Sequence, residues 1–277
     1  MLKLTLDHIF WLLTAVLFAP VFRQLYASRW ENIDYTHAYL ILPVSCWLVW
    51  RKRAEITRAL LLPSSGGASI AGLILLILGA FLFVFGWRLD FLMITTLALI
   101  PVLFGIVLFR YNPAIARITA FPILYLLLLV PPPLGILDAI TIPMRYMATQ
   151  MVEFLLQPFY PVVRDGMMMS VGHATIVVGA PCSGFRSLVS IFALALVYAH
   201  VIDLERFKKI ILLAFVLPLA LMLNVVRVIV ITLVTYYFGN EAGEGWVHDG
   251  SGYAVFLLLL LALMWLGKKL EGAADDD

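Results

Sequence analysis

Charged side chains are scarce in this chain of 277 residues. Aspartate, glutamate, lysine and arginine make up 13% of the sequence, whereas they account for roughly 25% of an ordinary soluble domain. Hydrophobic residues make up 63%, and the mean hydropathy is +1.01. A soluble fold of this length has no core large enough to bury so much apolar surface. The composition therefore predicts a polytopic membrane protein.

Cysteine is also scarce, and several other sequence signals are absent. The two cysteines, Cys46 and Cys182, lie in different segments and do not predict a disulfide framework. Histidines and carboxylates do not cluster with metal-ligand spacing, and the chain has neither a glycine-rich phosphate loop nor a basic–aromatic nucleic-acid patch. We therefore expect no metal, no cofactor and no nucleic-acid partner. The first apolar segment lacks a small-residue cleavage site, so we expect it to be retained as a membrane span.

Apolar runs divide the chain into membrane spans. A bilayer core requires about 20 apolar residues per helix, which predicts an all-α polytopic membrane protein with about eight transmembrane helices. Their predicted ranges are 8–27, 36–51, 69–87, 90–109, 114–130, 183–201, 207–238 and 250–268. The seventh is too long for one straight crossing, and we expect it to be kinked or strongly tilted. A single integral-membrane domain would cover 1–270, and 271–277 would form a disordered tail.

The lysines and arginines predict the orientation of these spans. The segment from Arg51 to Arg58 is the densest basic loop, and the positive-inside rule places it in the cytoplasm. Alternation of the spans then places both termini in the cytoplasm. The later loops on that side are basic as well, and they carry Arg110, Arg117, Arg206, Lys208 and Lys209.

The stretch 131–181 does not fit a simple span. Residues 136–156 are apolar with polar side chains scattered among them, which predicts an amphipathic helix lying at the outer surface. Short apolar runs then follow, broken at Asp165-Gly166 and at Gly172-His173. They predict a small β-hairpin that leads the chain into the sixth span.

Cys182 lies in the string APCSGFRS, where this loop enters the sixth predicted helix. Arg186 follows one helical turn later. A thiol at a helix N-terminus, close to a cation, is more readily converted to the thiolate, which is the nucleophilic form. The position therefore predicts a reactive cysteine.

The predicted topology brings other polar residues to the same side of the membrane. Arg227 lies in the seventh span, roughly 16 Å of helix from its outer end, and His248 precedes the eighth span on the outer side. A thiol, a guanidinium and an imidazole would therefore meet, and we interpret Cys182, Arg227 and His248 as candidate catalytic residues. The candidate supporting residues are Ser183, Arg186 and Asn224.

Three motifs in this order resemble those of the exosortases and archaeosortases. APCSGFRS resembles their cysteine motif, and NVVR, which ends at Arg227, resembles their membrane-embedded arginine motif. His248 matches the third member of the proposed Cys-Arg-His triad of the bacterial forms. YTHAYLILPVSCWLVWRKR is similar to their second span, with His37-Ala38 where the family usually has His-Gly. The resemblance covers roughly residues 20–270.

The resemblance implies a membrane cysteine peptidase or transpeptidase of the bacterial plasma (inner) membrane. Its substrates would be exported proteins whose C-terminal sorting tail has a short motif (Pro-Glu-Pro in the best-known class), a transmembrane helix and a basic end. Cys182 would attack the peptide carbonyl at the periplasmic face, and His248 would act as base and then as acid. Arg227 would stabilise the oxyanion or hold the thiolate. Water, a membrane lipid or an exopolysaccharide would accept the cleaved chain.

Two other functions are compatible with the span count and the intramembrane arginine. The chain could be a polytopic transporter, or a scaffold subunit of an envelope polysaccharide export system. A transporter is disfavoured because the sequence has no internal repeat and because a carrier gains little from a reactive outer thiol. Structural roles also stay open for two supporting residues. Arg186 could extend to the interface, and Asn224 could form a helix–helix hydrogen bond.

Overall fold

The computed structural model describes residues 2–30, 37–61, 69–179, 183–202 and 204–272. The chain separates into two compact units, Met1–Pro133 and Leu134–Asp277. The single domain over 1–270 stays a prediction, as does the disordered tail, of which residues 273–277 lie outside the described residues.

The described part of the first unit is helical. Its elements are α1 (Leu2–Leu25), which continues as a π-helical turn (Tyr26–Trp30), α2 (Ala38–Arg51), α3 (Arg53–Leu60), α4 (Ile70–Arg88), α5 (Leu92–Leu97), α6 (Leu99–Arg110) and α7 (Pro113–Tyr125), which ends in a 3₁₀ turn (Leu126–Leu129).

Glycines allow α4 to pack unusually close to α5 and α6. Gly72, Gly79 and Gly86 recur every seventh residue and are buried. A Cβ on Gly79 would lie 2.5 Å from Cγ2 of Val102 in α6, and a Cβ on Gly86 would lie 2.6 Å from the backbone nitrogen of Thr95 in α5. Small residues at a helix–helix contact are typical of membrane proteins, in which close packing stabilises the association of helices.

Two buried polar side chains connect the other helices of this unit. Asn112 caps α7, since its Oδ1 accepts the N–H of Ile115 at 2.9 Å, and its Nδ2 donates to the carbonyl of Ala59 at 2.8 Å. Ser45 in α2 donates to the carbonyl of Pro122 in α7 at 2.8 Å. Each of these groups is satisfied, as burial in an apolar environment requires.

The second unit combines helices with a small sheet. Its elements are α8 (Leu134–Leu156), β1 (Val162–Asp165), β2 (Met168–Val171), β3 (Ala174–Val177), α9 (Phe185–Val201), α10 (Arg206–Phe238), α11 (Asn240–Glu244) and α12 (Trp246–Gly272). The predicted amphipathic helix 136–156 corresponds to α8.

The predicted hairpin is a three-stranded antiparallel sheet with the order β1-β2-β3. The two breaks seen in the sequence are both strand turns, and each has a glycine with positive φ, Gly166 (φ +60°) and Gly172 (φ +58°). The prediction counted one strand too few because the run before Asp165 also pairs in register, with Val163 opposite Ser170. One face of the sheet packs between α8 and the C-terminal half of α10. The buried residues of this cluster include Val152, Met169, Val171, Val225 and Val228.

Helices α9, α10 and α12 share a separate apolar core. Their buried side chains recur every fourth residue, as expected for packed helices. They are Ile191, Ala195 and Ala199 of α9, Leu212, Val216 and Ala220 of α10, and Val255, Leu259 and Leu263 of α12.

The helices support a polytopic membrane protein. Within the described residues, five are long and apolar enough to cross a bilayer: His8–Ser28, Ile70–Arg88, Leu92–Arg110, Arg206–Phe238 and Gly250–Glu271. Three shorter apolar helices, Ala38–Arg51, Pro113–Leu129 and Phe185–Val201, coincide with the remaining predicted spans. The exact count of eight crossings stays a prediction. Helix α10 has 33 residues, about 50 Å, which exceeds the ~30 Å bilayer core, so a tilted or projecting helix is expected.

Candidate active site

The buried polar residues Asn224 and Arg227 lie in the C-terminal half of α10. Asn224, Arg227, Val228 and Ile231 are buried and recur at three- or four-residue spacing, which places them on one face of the helix. Arg227 is 8% exposed, although it carries a guanidinium. A buried charged group in a membrane helix is costly and usually has a function.

The Arg227 side chain is held by the first turns of α12. Its Nε donates to Oγ of Ser251 at 3.1 Å, and its Nη2 donates to the backbone carbonyl of His248 at 3.1 Å. Nη2 also lies 3.4 Å from Nε2 of His248. Because a guanidinium has donors but no acceptor, this third contact requires Nε2 to be the acceptor nitrogen of the imidazole.

Helix geometry aligns the two α12 residues that contact Arg227. His248 and Ser251 are three residues apart and therefore lie on the same face of the helix. The Ser251 hydroxyl donates to the carbonyl of His248 at 2.8 Å. The guanidinium also passes close to the helix backbone, since a Cβ on Gly252 would lie 3.6 Å from Nη2.

The start of α9 packs against the same part of α10. Gly184, the N-cap of α9, has φ +74°, and a Cβ there would lie 2.7 Å from Cγ of Asn224. Only glycine combines this left-handed conformation with so close an approach at low cost. Asn224 is one turn before Arg227, so the N-terminus of α9 lies beside the arginine-bearing turn.

Ser183 contributes to the start of α9 itself. Its side chain is buried, and its Oγ accepts the N–H of Phe185 at 3.2 Å. Such a bond satisfies one of the backbone donors that the first turn of a helix leaves without a partner in the helix.

The predicted site residues thus divide into three groups. Arg227 and His248 are in direct contact, and the Ser183–Gly184 turn packs next to Asn224. Arg186 lies half-buried in the first turn of α9, and the three contacts of Arg227 described above do not involve it. Cys182, the predicted nucleophile, lies outside the described residues.

Sequence reasoning did not identify Ser251, which the structure places in contact with Arg227. A signal for it was present, because a residue three positions after His248 shares its helix face when His248 is itself helical. We had placed His248 in the loop before the last span, whereas α12 already begins at Trp246.

Comparison with known protein families finds a match over most of the chain. The family model described as transmembrane exosortase (Exosortase_EpsH) matches residues 30–265, a range that contains all three candidate catalytic residues. No curated protein and no solved structure matches the chain. Since the matched range covers most of its length, the chain belongs to the transmembrane exosortase family.

Proposed function

We propose that this membrane protein is a cysteine peptidase or transpeptidase that cleaves the C-terminal sorting signals of exported proteins. The observation that carries the proposal is the partly buried contact between Arg227 and His248, which joins a permanent cation to a proton-transfer group. These two residue types suit acyl transfer, in which a negative charge develops on a carbonyl oxygen and a proton moves to the leaving amine.

The acceptors around Arg227 favour a catalytic use of its charge. The Ser251 hydroxyl, the His248 carbonyl and the His248 imidazole acceptor nitrogen are uncharged, so these three contacts orient the guanidinium without neutralising it. The N–H groups of the guanidinium would stabilise the oxyanion, or the thiolate that precedes it.

Chain connectivity supports Cys182 as the nucleophile. Two peptide units span at most about 7.6 Å between Cα atoms, so the Cα of Cys182 is that close to the Cα of Gly184. Gly184 in turn packs against Asn224, one helical turn from Arg227. The start of α9, which Cys182 precedes in the chain, therefore packs one helical turn from Arg227, and we infer that the thiol acts together with Arg227 and His248.

The reaction would proceed in two steps. Nε2 of His248 leaves its contact with Arg227 and takes the thiol proton as Sγ of Cys182 attacks the scissile carbonyl. The tetrahedral intermediate then collapses to a thioester as His248 returns that proton to the leaving amine. In the second step the hydroxyl of water, a lipid or a glycan attacks the thioester. Its proton passes to His248, the C–S bond breaks to give a carboxylic acid or an ester, and His248 returns the proton to the Cys182 thiolate. The proposed substrate tail has a Pro-Glu-Pro-like motif, a transmembrane helix and a basic end.

We place the site at the periplasmic face of the bacterial inner membrane, with both chain termini in the cytoplasm. This placement rests on the distribution of lysine and arginine among the loops. It can be tested with Cys46→Ala, which leaves Cys182 as the single cysteine of the chain. A membrane-impermeant thiol reagent added to intact cells should label this variant, and labelling only from the cytoplasmic side would contradict the orientation.

The activity is tested with a reporter protein that carries such a tail and is co-expressed with the chain. Wild type should release the tail, and Cys182→Ala and Cys182→Ser should lose at least about 10⁴-fold in rate, because removal of a nucleophile eliminates the covalent route. Cys46→Ala is the matched control, since this exposed free cysteine lies in α2 and should be dispensable. Full processing by Cys182→Ala would refute the nucleophile, whereas no processing by wild type would favour a transporter or scaffold.

A further inference from the structure

We propose that Ser251 is a positioning residue, which holds the guanidinium of Arg227 in its working orientation. This proposal rests on the proposed function, because it concerns the same site. Ser251 is outside the Cys-Arg-His set and acts through Arg227, not on the substrate.

Hydrogen-bond accounting determines how the Ser251 hydroxyl is oriented. A serine hydroxyl has a single proton and two acceptor lone pairs. Its oxygen lies 2.8 Å from the carbonyl of His248, which can only accept, so the proton is committed to that bond. The lone pairs are then available to the Nε–H of Arg227, 3.1 Å away. The Ser251 hydroxyl therefore has a partner for its proton and a fixed orientation, and its oxygen accepts the hydrogen bond from Arg227.

A second anchor is needed to define the direction of a planar group. The guanidinium is rigid, with Nε–H and one Nη2–H on the same edge and Nη1 on the opposite side. The His248 carbonyl holds Nη2, and Ser251 holds Nε. Contacts at both nitrogens of one edge restrict rotation of the guanidinium plane more than the His248 contacts to Nη2 alone would.

A neutral hydroxyl at position 251 is also suited to orienting Arg227. A carboxylate at position 251 would hold the guanidinium more strongly, but it would compensate the positive charge that the reaction uses. A hydroxyl orients the same edge and leaves the charge available. Its position on α12, three residues after His248, lets one helical turn align the cation and the imidazole together.

The experiment compares purified full-length variants in lipid bilayers, with the reporter tail as substrate. Ser251→Ala should lower kcat about 100-fold with KM within about twofold, since a misplacement of the order of 1 Å can cost that much. Ser251→Thr keeps the hydroxyl and should recover activity to within about fivefold of wild type. Thr232→Val is the matched control, because it removes another buried hydroxyl, one that bonds only to the carbonyl of Val228 one turn earlier in α10.

A double-mutant comparison separates positioning from a general structural effect. In an Arg227→Ala background, Ser251→Ala should produce almost no further loss, because its effect passes through the missing guanidinium. Independent, additive losses would contradict the proposal. It would also fail if Ser251→Ala cleaved at the wild-type rate, if only KM changed, or if Ser251→Thr were folded and as slow as Ser251→Ala.

The outcome also distinguishes this proposal from the function on which it rests. If wild type does not cleave the tail, or if Cys182→Ala cleaves as fast as wild type, the proposed function fails and the role of Ser251 fails with it. If Cys182→Ala is inactive while Ser251→Ala is not slowed, only the assignment of Ser251 is wrong.

Discussion

Two helix–helix contacts differ in the residues that form them. One joins α4 to α6 in the first unit, and the other joins α10 to α12 in the second. Glycines let α4 approach the backbone of α6, and Gly79 lies directly against Val102. The α10–α12 contact is apolar along much of its length but ends in the hydrogen bonds from Arg227 to His248 and Ser251.

The two contacts differ in whether polar side chains are needed to join the helices. In lipid, two apolar helices can associate through close packing alone, so α4 and α6 need no polar side chain at Gly79. A guanidinium at Arg227 adds a desolvation cost that apolar packing would avoid. We infer that stability is concentrated in the first kind of contact and activity in the second, and substitutions can test this division.

The largest effect is expected at the polar end of the α10–α12 contact. Arg227→Ala should lower the rate of tail cleavage by about 10²–10³-fold, because it removes donors aimed at developing negative charge. The melting temperature should change little, since the variant also removes the cost of burying a cation. Cleavage of the reporter and thermal unfolding in detergent measure the two effects separately.

The matched control for that variant is Arg145→Ala. Arg145 is a half-buried arginine in α8 that hydrogen-bonds to Thr141 in its own helix, and its removal should leave cleavage near the wild-type rate. An Arg227→Ala protein that cleaves normally, or one that no longer folds, would contradict the division between the two contacts.

A loss of about 100-fold is expected when the turn before α9 is displaced. Gly184→Ala places a Cβ where Asn224 lies and forces a left-handed conformation on an L-residue. The shift should displace the start of α9, which Cys182 precedes in the chain, and slow cleavage. Gly135→Ala is the control, since no heavy atom lies within 4 Å of that position. Equal cleavage by the two variants would show that the Gly184–Asn224 contact does not position the loop.

In the first unit we expect a substitution to lower stability while cleavage is almost unchanged. Gly79→Val overpacks the α4–α6 contact and should cost about 1–3 kcal/mol. For a chain of this size the melting temperature should fall by roughly 3–10 °C. Cleavage per folded molecule at low temperature should stay within about twofold of wild type. A catalytic defect in folded Gly79→Val protein would mean that close packing in this unit also controls the site.

The smallest effect is expected at the ion pair between α8 and β1. Nε of Arg164 lies 2.6 Å from Oε2 of Glu153, and both side chains are partly exposed. Glu153→Gln should destabilise the protein by less than about 1 kcal/mol, because solvent screens such pairs. The difference in melting temperature should shrink as salt is added. A difference that is large and independent of salt would show that this pair is effectively shielded from water.

Local properties of the chain explain which predictions the structure supports. Each predicted span coincides with an apolar helix. In lipid the backbone polar groups must be hydrogen-bonded within the helix itself, so a stretch of about 20 residues is enough to predict a span. The two glycine turns around β2 are also local, and both were identified. The number of strands was underestimated, because pairing of β1 with β2 depends on register across the turn and on burial against α8 and α10.

The candidate site shows the limit of local reasoning. Arg186 was selected because it follows Cys182 by one turn, but the contacts that fix Arg227 come from α12. No sequence motif marks Ser251, and its role depends on its hydrogen bond with Arg227, which is 24 positions away in the chain. Residue type predicted which side chains could take part in acyl transfer. The alignment of Arg227 with His248 and Ser251 depends on how α10 packs against α12.

The sequence by itself determined that this protein spans a membrane, where its apolar helices lie and which three residue types could perform acyl transfer. These properties follow from hydropathy and from the chemistry of cysteine, arginine and histidine. Only the tertiary structure decided that Arg227 meets His248 and Ser251, and that Gly184 brings the start of α9 against Asn224. The physical reason is that hydrogen bonds act over about 3 Å, and helix packing alone brings such distant residues to that separation.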